Sequence, residues 1–272
     1  MSLKQNNIQE FKSIIWDYFN AHGRQFSWRQ TAEPYHIVVS EIMLQQTQTH
    51  RVAGKFEQFI TLFPTFQALA QAQLHDVLAA WQGLGYNRRA MALQKTAQKV
   101  VHEYNGMLPN DPEILVTFPG IGKATAASIC AFAFNKPTTF IETNIRTVFI
   151  QFFFHNRADV HDKELFPLVE RTVDQERPRL WYYALMDYGV MLKKNIPNPS
   201  RRSKHHTVQS KFEGSDRQIR GMILKILTQA KIASYHDFIG LIDRKEDRIQ
   251  KILDDLCAEG FLHRKNDLYK IA

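Results

Sequence analysis

Apolar residues recur every three and four positions along nearly the whole of this 272-residue chain, and no alternating strand pattern interrupts them before residue 260. That periodicity confines the fold to packed helices. Ile8, Phe11, Ile14, Ile15, Tyr18 and Phe19 mark one amphipathic face. Pro34 fits the first turn of a helix carrying Val38, Val39, Ile42 and Met43. Asp111-Pro112-Glu113 reads as an N-cap, a first-turn proline and an acid near the positive helix end. Residues 124–134 form a small, apolar run suited to a buried helix, and Trp181, Leu185 and Tyr188 mark another. The predicted class is all-α.

Helical spacing stops at 196–206, where Pro197 and Pro199 stand among polar and basic residues, so a loop is predicted there. It resumes at Ile219, Ile223, Ile226 and Leu227, then at Phe238, Leu241 and Ile242, then at Ile249, Ile252, Leu253 and Leu256, with Gly260 closing the last helix. Phe261-Leu262 and residues 268–271 flank a polar turn, Lys265-Asn266-Asp267. Three helices and a hairpin make a winged-helix arrangement; a plain helical cap is the alternative. The expected organisation is a two-part helical domain over 1–192, a basic loop over 193–214 and a winged-helix-like module over 215–272.

Charge separates these segments. The chain carries a formal net charge of +8, of which +6 falls within residues 193–220. A dense basic block between near-neutral stretches suits a polyanion such as nucleic acid or a membrane surface, or else a solvated linker. No apolar stretch is long enough to cross a bilayer. The N-terminal residues lack a signal-peptide run, so a cytoplasmic protein is expected, associated with the nucleoid in a bacterium. Two cysteines, Cys130 and Cys257, make no disulfide framework and cannot alone hold an iron–sulfur cluster.

Three motifs carry chemistry. Phe118-Pro-Gly-Ile-Gly-Lys-Ala-Thr-Ala126 places two glycines in a tight turn just before a helix, the helix-hairpin-helix pattern. Gly120 and Gly122 let the backbone approach one phosphate, with Lys123 and free helix amides beside it; a structural inter-helix turn is the plainer reading. Glu41 sits among apolar neighbours in Val39-Ser-Glu-Ile-Met-Leu-Gln-Gln-Thr47. Buried there, its carboxyl would have a raised pKa suited to a general acid; on an exposed stripe it would have none. Glu142, in Phe140-Ile-Glu-Thr-Asn144, reads as a helix-start acid. His205 and His206 are loop residues without an evident ligand set, and no metal site is expected.

Taken in order, Trp28-Arg29, Pro34-Tyr35, Ser40-Glu-Ile-Met-Leu-Gln-Gln-Thr47, Trp81-Gln-Gly-Leu-Gly-Tyr-Asn-Arg-Arg-Ala90, Phe118-Pro-Gly-Ile-Gly-Lys123 and Met186-Asp-Tyr-Gly189 resemble the MutY-type adenine DNA glycosylases of the helix-hairpin-helix (HhH-GPD) superfamily, of which endonuclease III is a cousin. The resemblance spans about residues 10–192. It implies an enzyme of base excision repair that flips a base into a pocket between two helical subdomains. Glu41 matches the general acid that protonates the departing adenine. Glu142 matches the carboxylate that stabilises the oxocarbenium-like sugar and helps water add, and Asn144 an Asn beside the sugar. Gln45 and Gln46 match residues that enter the opened helix, and Tyr86 an aromatic wedge; Arg88 of the same run is placed at the DNA. Tyr86 could equally be a core aromatic.

Four departures from the family bear on the reading. Glu142 stands where the family has Asp, moving the carboxylate by roughly 1.5 Å, when ~1 Å can cost about 100-fold in rate. Ala124 stands where bifunctional relatives carry a catalytic Lys, and Lys123 would point about 100° away on a helix, so a glycosylase without AP-lyase activity is predicted. The stretch 190–203, where the family's four-cysteine loop lies, holds no cysteine; no cofactor is expected, the iron–sulfur cluster included. Residues 215–272 are too short for the Nudix-like domain that recognises 8-oxoguanine. The expected partner is duplex DNA with a mispaired or damaged base, bound by a monomer, with Lys193, Lys194, Arg201, Arg202 and Lys204 on phosphate. Adenine opposite guanine or 8-oxoguanine is the leading substrate. Another modified or mismatched base, or damage binding without catalysis, is the alternative.

Overall fold

The computed structural model describes residues 5–272. In chain order the helices are α1 (Gln5–His22), α2 (Pro34–Leu44), α3 (Thr49–Leu62), α4 (Phe66–Gln71), α5 (Leu74–Trp81), α6 (Arg88–Glu103), α7 (Pro112–Leu115), α8 (Lys123–Phe134), α9 (Thr143–Phe153), α10 (Asp162–Thr172), α11 (Pro178–Asn195), α12 (Asp216–Ala230), α13 (Tyr235–Leu241) and α14 (Glu246–Ala258). Short 3₁₀ turns cover Ser27–Arg29 and Pro199–Arg202, and three strands, β1 (Ile232–Ser234), β2 (Leu262–Lys265) and β3 (Leu268–Ile271), lie near the end. The helical periodicity is thus realised along the chain. Pro34 and Asp111 stand at the helix starts assigned to them, with the Asp111 carboxylate accepting from the Glu113 amide.

Two compact units form. The first comprises residues up to Glu41 with Pro109–Val208, the second Ile42–Leu108 with Gln209–Ala272. In the first, α11 packs against α9 and α1. Phe11 of α1 meets Phe149, Phe152 and Phe153 of α9 and Trp181 of α11 edge-on, with ring centroids 4.9–5.9 Å apart. Edge-to-face rings of this kind add to the gain from burial. The small residues of α8 are buried over most of its length, as their composition requires.

In the second unit, α12 lies along α5, and the His75 ring contacts the Thr228 carbonyl at 3.2 Å. The three helices and hairpin expected after residue 215 are present. β1 is an addition: it pairs antiparallel with β3, giving the sheet order β1-β3-β2. Its three residues are too few for a period to register. Tyr269, fully buried, faces Phe238 of α13 with centroids 5.8 Å apart.

One buried cation organises the other part of this unit. Arg89 donates to the carbonyls of Ile42, Met43 and Gln45 at 2.5–3.0 Å, to the Thr47 hydroxyl at 2.9 Å, and to the carbonyls of Leu84 and Gly85 at 3.3 and 3.0 Å. Helix ends leave carbonyls without intrahelical partners, and a guanidinium with five donors can satisfy several at once. Desolvation lowers the Arg89 pKa to about 10, still high enough to keep its charge at neutral pH. Arg88, its neighbour, is largely exposed and pairs with Glu259 at 2.5 Å. Arg89→Met should therefore destabilise the protein by about 3 kcal/mol or more, because several buried carbonyls lose their donor. Arg88→Ala should cost under about 1 kcal/mol, the worth of an exposed pair. Urea unfolding of the two variants measures the contrast.

Candidate active site and DNA interface

Glu41 occupies the inner face of α2, flanked by Val38, Val39 and Ile42, which are fully buried. Its own side chain is half-buried. Oε2 accepts a 2.5 Å hydrogen bond from the hydroxyl of Ser128 on α8. Desolvation pushes the Glu41 pKa from 4.5 to about 7; the Ser128 hydrogen bond pulls it back, Glu142 adds repulsion and Arg29 opposes it. A carboxyl poised there is about half protonated at neutral pH and can give its proton up, as a general acid must.

Glu142 is the N-cap of α9. Oε1 accepts from the backbone amides of Asn144 and Ile145 at 2.8 and 2.9 Å, and Oε2 from the Asn144 amide at 3.1 Å. The carboxylate thus folds back over the helix start. Asn144 Oδ1 is buried and has no hydrogen-bond partner among the described residues. Gly189 of α11 abuts the same turn: a Cβ there would lie 2.5 Å from the Asn144 carbonyl oxygen. One turn further along α11, Lys193 is half-buried. Desolvation lowers its pKa, with the charge of Glu142 acting against the shift.

A third element is the Arg29–Asp187 pair. Arg29 donates from both terminal nitrogens to the Asp187 carboxylate at 2.9 Å, and Arg24 adds its backbone amide and Nε at 2.8 and 2.7 Å. The Arg29 guanidinium lies over the Tyr183 ring, 4.4 Å from its centroid. This fork geometry fixes Arg29 in place, where its charge bears on Glu41. Arg29 and Asp187 stood inside the quoted motifs without a role; Ser128 carried no sequence signal.

The remaining expected residues fall in several settings. Gly120 adopts φ +73°, which explains a glycine there. Gly122 N-caps α8 without a side chain, and a Cβ on it would meet nothing within 4 Å; Lys123 beside it is exposed. Lys194, Arg201 and Lys204 are exposed. Arg202 instead donates to the carbonyls of Phe154, at 2.7 Å, and His155. Val160 and Ser203 form a bridge that ties the same segment down.

In the second unit, Gln46 is exposed with φ +53° and Gln45 is half-buried. Tyr86 has φ +49°; the guanidinium groups of Arg89 and Arg217 each lie 5.4 Å from its ring centroid. Its hydroxyl accepts from Arg217 at 2.6 Å and from Gln209.

A four-thiolate cluster does not fit these residues. The chain has two cysteines, and Cys130 is fully buried within α8, where desolvation pushes its thiol up to about 11. Among the described residues no group of three or more His, Cys, Asp or Glu side chains is placed to hold a metal ion.

The first unit thus brings together a helix-hairpin-helix turn, a half-buried acid and a second carboxylate at a helix start. The family model for the HhH-GPD superfamily base excision DNA repair proteins matches residues 39–171. The chain is 32% identical over 295 residues to the adenine DNA glycosylase of Mycobacterium tuberculosis (strain ATCC 25618 / H37Rv), covering 96% of this chain and 92% of the relative. It is 30% identical to that of Buchnera aphidicola subsp. Baizongia pistaciae, covering 95% and 75%. Against the human adenine DNA glycosylase the identity is 33%, over 67% of this chain and 36% of the relative. The chain belongs to the MutY-type family of HhH-GPD glycosylases, enzymes of base excision repair that bind DNA. Among solved structures, a thermostable thymine-DNA glycosylase superposes with TM-score 0.62 at 25% identity, covering 73% of this chain and 91% of that one. An endonuclease III–DNA complex shares the fold, with TM-score 0.59 at 18% identity, covering 68% and 85%.

Two outcomes follow. Gly189→Ala has no room beside the α9 turn that carries Asn144, so excision by this variant should fall at least about tenfold, read in single-turnover assays. Glu41→Gln should raise thermal stability at pH 8. The folded pKa of Glu41 is raised, so its protonated form contributes stability that is complete below pH 4.5 and lost as pH rises through about 7. Discounted for its partial exposure, the gain at pH 8 is on the order of 1–2 kcal/mol, shrinking to nothing towards pH 4. Melting curves of both proteins across this range check it.

Proposed function

We propose that this chain is a monofunctional adenine glycosylase that excises adenine opposite guanine or 8-oxoguanine, acting as a cytoplasmic monomer without an iron–sulfur cluster. The observation that carries this reading is the raised pKa of Glu41 in a setting it shares with Glu142. The named activity of the relatives supports adenine as the base. In this account Glu41 donates its proton to a ring nitrogen of the flipped adenine. The electron pair of the C1′–N bond then leaves with the base, and positive charge develops on the sugar. Glu142 stabilises that charge and directs water to C1′, while Asn144 supplies its uncommitted Oδ1 to the sugar or the water. Ala124, in the first turn of α8, offers no amine for a Schiff base, so the product is an intact strand with an abasic site.

A second reading rests on the three hydrogen bonds that occupy the Glu142 carboxylate. A carboxylate committed to capping would leave a protein that binds damage without cutting. Single-turnover excision from duplexes carrying adenine opposite guanine, 8-oxoguanine or thymine separates the two, with Glu41→Gln and Glu142→Gln as controls. The glycosylase reading predicts release of adenine, loss of at least about 1,000-fold in both variants and no strand scission before alkali. Tight binding with no product from any duplex would support the second reading.

The phosphate contacts are assigned to Lys194, Arg201 and Lys204, together with the Gly120–Gly122 turn and Lys123. Changing the three exposed cations to Gln should weaken binding to every duplex. The salt dependence should flatten by about 0.9 in log–log slope per lost contact. Anisotropy titrations at several salt concentrations measure it; an unchanged slope would make the segment a solvated linker.

A further inference from the structure

Ser128 sits on the buried face of α8, and its hydroxyl has two acceptors within reach. These are Glu41 Oε2 at 2.5 Å and the Thr125 carbonyl at 3.0 Å. A serine hydroxyl has a single proton and cannot donate to both at once. Which acceptor it serves depends on the charge of Glu41. A protonated Glu41 has no need of a donor, and the hydroxyl then bonds to Thr125 within its own helix. An ionised Glu41, withdrawn from water, is stabilised by any donor that can turn towards it, and a hydrogen bond to a charged acceptor is the stronger of the two.

We propose that Ser128 is a positioning residue for the general acid, its hydroxyl turning from the Thr125 carbonyl to the Glu41 carboxylate as the proton is given up. The inference rests on the assignment of Glu41 as general acid. In the balanced step, the Glu41 proton passes to the base nitrogen, the C1′–N pair departs with the base, and the new carboxylate gains the Ser128 O–H. Rotation about one Cβ–Oγ bond accomplishes the exchange, so no backbone movement is required. Once formed, that hydrogen bond holds the Glu41 carboxylate at one place on α2.

The other groups facing Glu41 do not duplicate this. Arg29 acts on it by charge while its guanidinium is engaged by Asp187. Glu142, at the start of α9, repels it. Tyr183 of α11 has its hydroxyl pushed towards the neutral form by burial and by Glu41 itself. Ser128 donates its side-chain O–H to Glu41, and its loss leaves the carboxylate both less stable and less fixed.

The test is the pH dependence of single-turnover excision of adenine opposite 8-oxoguanine, from pH 5 to 9, with wild type, Ser128→Ala, Ser128→Thr and Glu41→Gln. Alanine is smaller and a good helix former, so the variant should fold; melting curves and duplex binding confirm it. In Ser128→Ala the midpoint of the high-pH decline should rise by about one pH unit, because a hydrogen bond that favours the ionised form is gone. Its low-pH plateau should fall by about tenfold, because the carboxylate that forms as the proton leaves lacks the Ser128 O–H. Ser128→Thr, which keeps the hydroxyl, should restore the wild-type midpoint. A folded Ser128→Ala whose midpoint equals that of wild type overturns the inference while leaving Glu41 in place. A Glu41→Gln protein that excises at the wild-type rate overturns the general-acid assignment and this inference together.

Discussion

The withdrawal of one carboxyl group from water sets the terms for the first unit. Glu41 stands on a helix whose neighbouring side chains are fully buried, and desolvation dominates its pKa. Left alone, such a group would be a defect. Instead, the elements around it each act on it: Ser128 from α8 by a hydrogen bond, Arg29 from the first 3₁₀ turn by opposite charge and Glu142 from the start of α9 by like charge. Arg29 can do this because Asp187 and Tyr183 of α11 hold it rigidly. A chain of named contacts thus runs from the core aromatic packing of α9 and α11 to the protonation state of one acid.

The second unit depends on a different buried charge. Arg89 gathers carbonyls from the end of α2 and from the loop before α6, the two segments that carry Gln45, Gln46 and Tyr86. Gln46 and Tyr86 both adopt left-handed backbone conformations that are costly outside glycine. The Arg89 hydrogen bonds offset that cost, so residues assigned to the DNA are held by one that cannot itself face it.

Legibility in the sequence followed the range of the interaction. Helices were readable because their apolar spacing is local, and Pro34, Asp111 and Glu142 announced helix starts through capping chemistry. The C-terminal hairpin was readable from a polar turn between two apolar pairs. Ser128 was not, because a serine in an apolar helix gives no hint of a partner 87 positions away. Arg89 was hidden beside Arg88: adjacent identical residues on a helix point in different directions, and burial, which no spacing reports, distinguishes them. Arg202 belongs by sequence to the basic cluster, yet it binds the carbonyls of Phe154 and His155. Charge density marks a segment and does not say which of its cations are already committed.

The account rests on a substantial protonated fraction of Glu41 at neutral pH. The most direct measurement is a ¹³C-carboxyl NMR titration of the free protein, with the Glu41 resonance assigned by its loss in Glu41→Gln. A midpoint of about 7 is predicted. A midpoint at the ordinary carboxylate value near 4.5 would contradict the account, since the acid would be ionised before any base reached it.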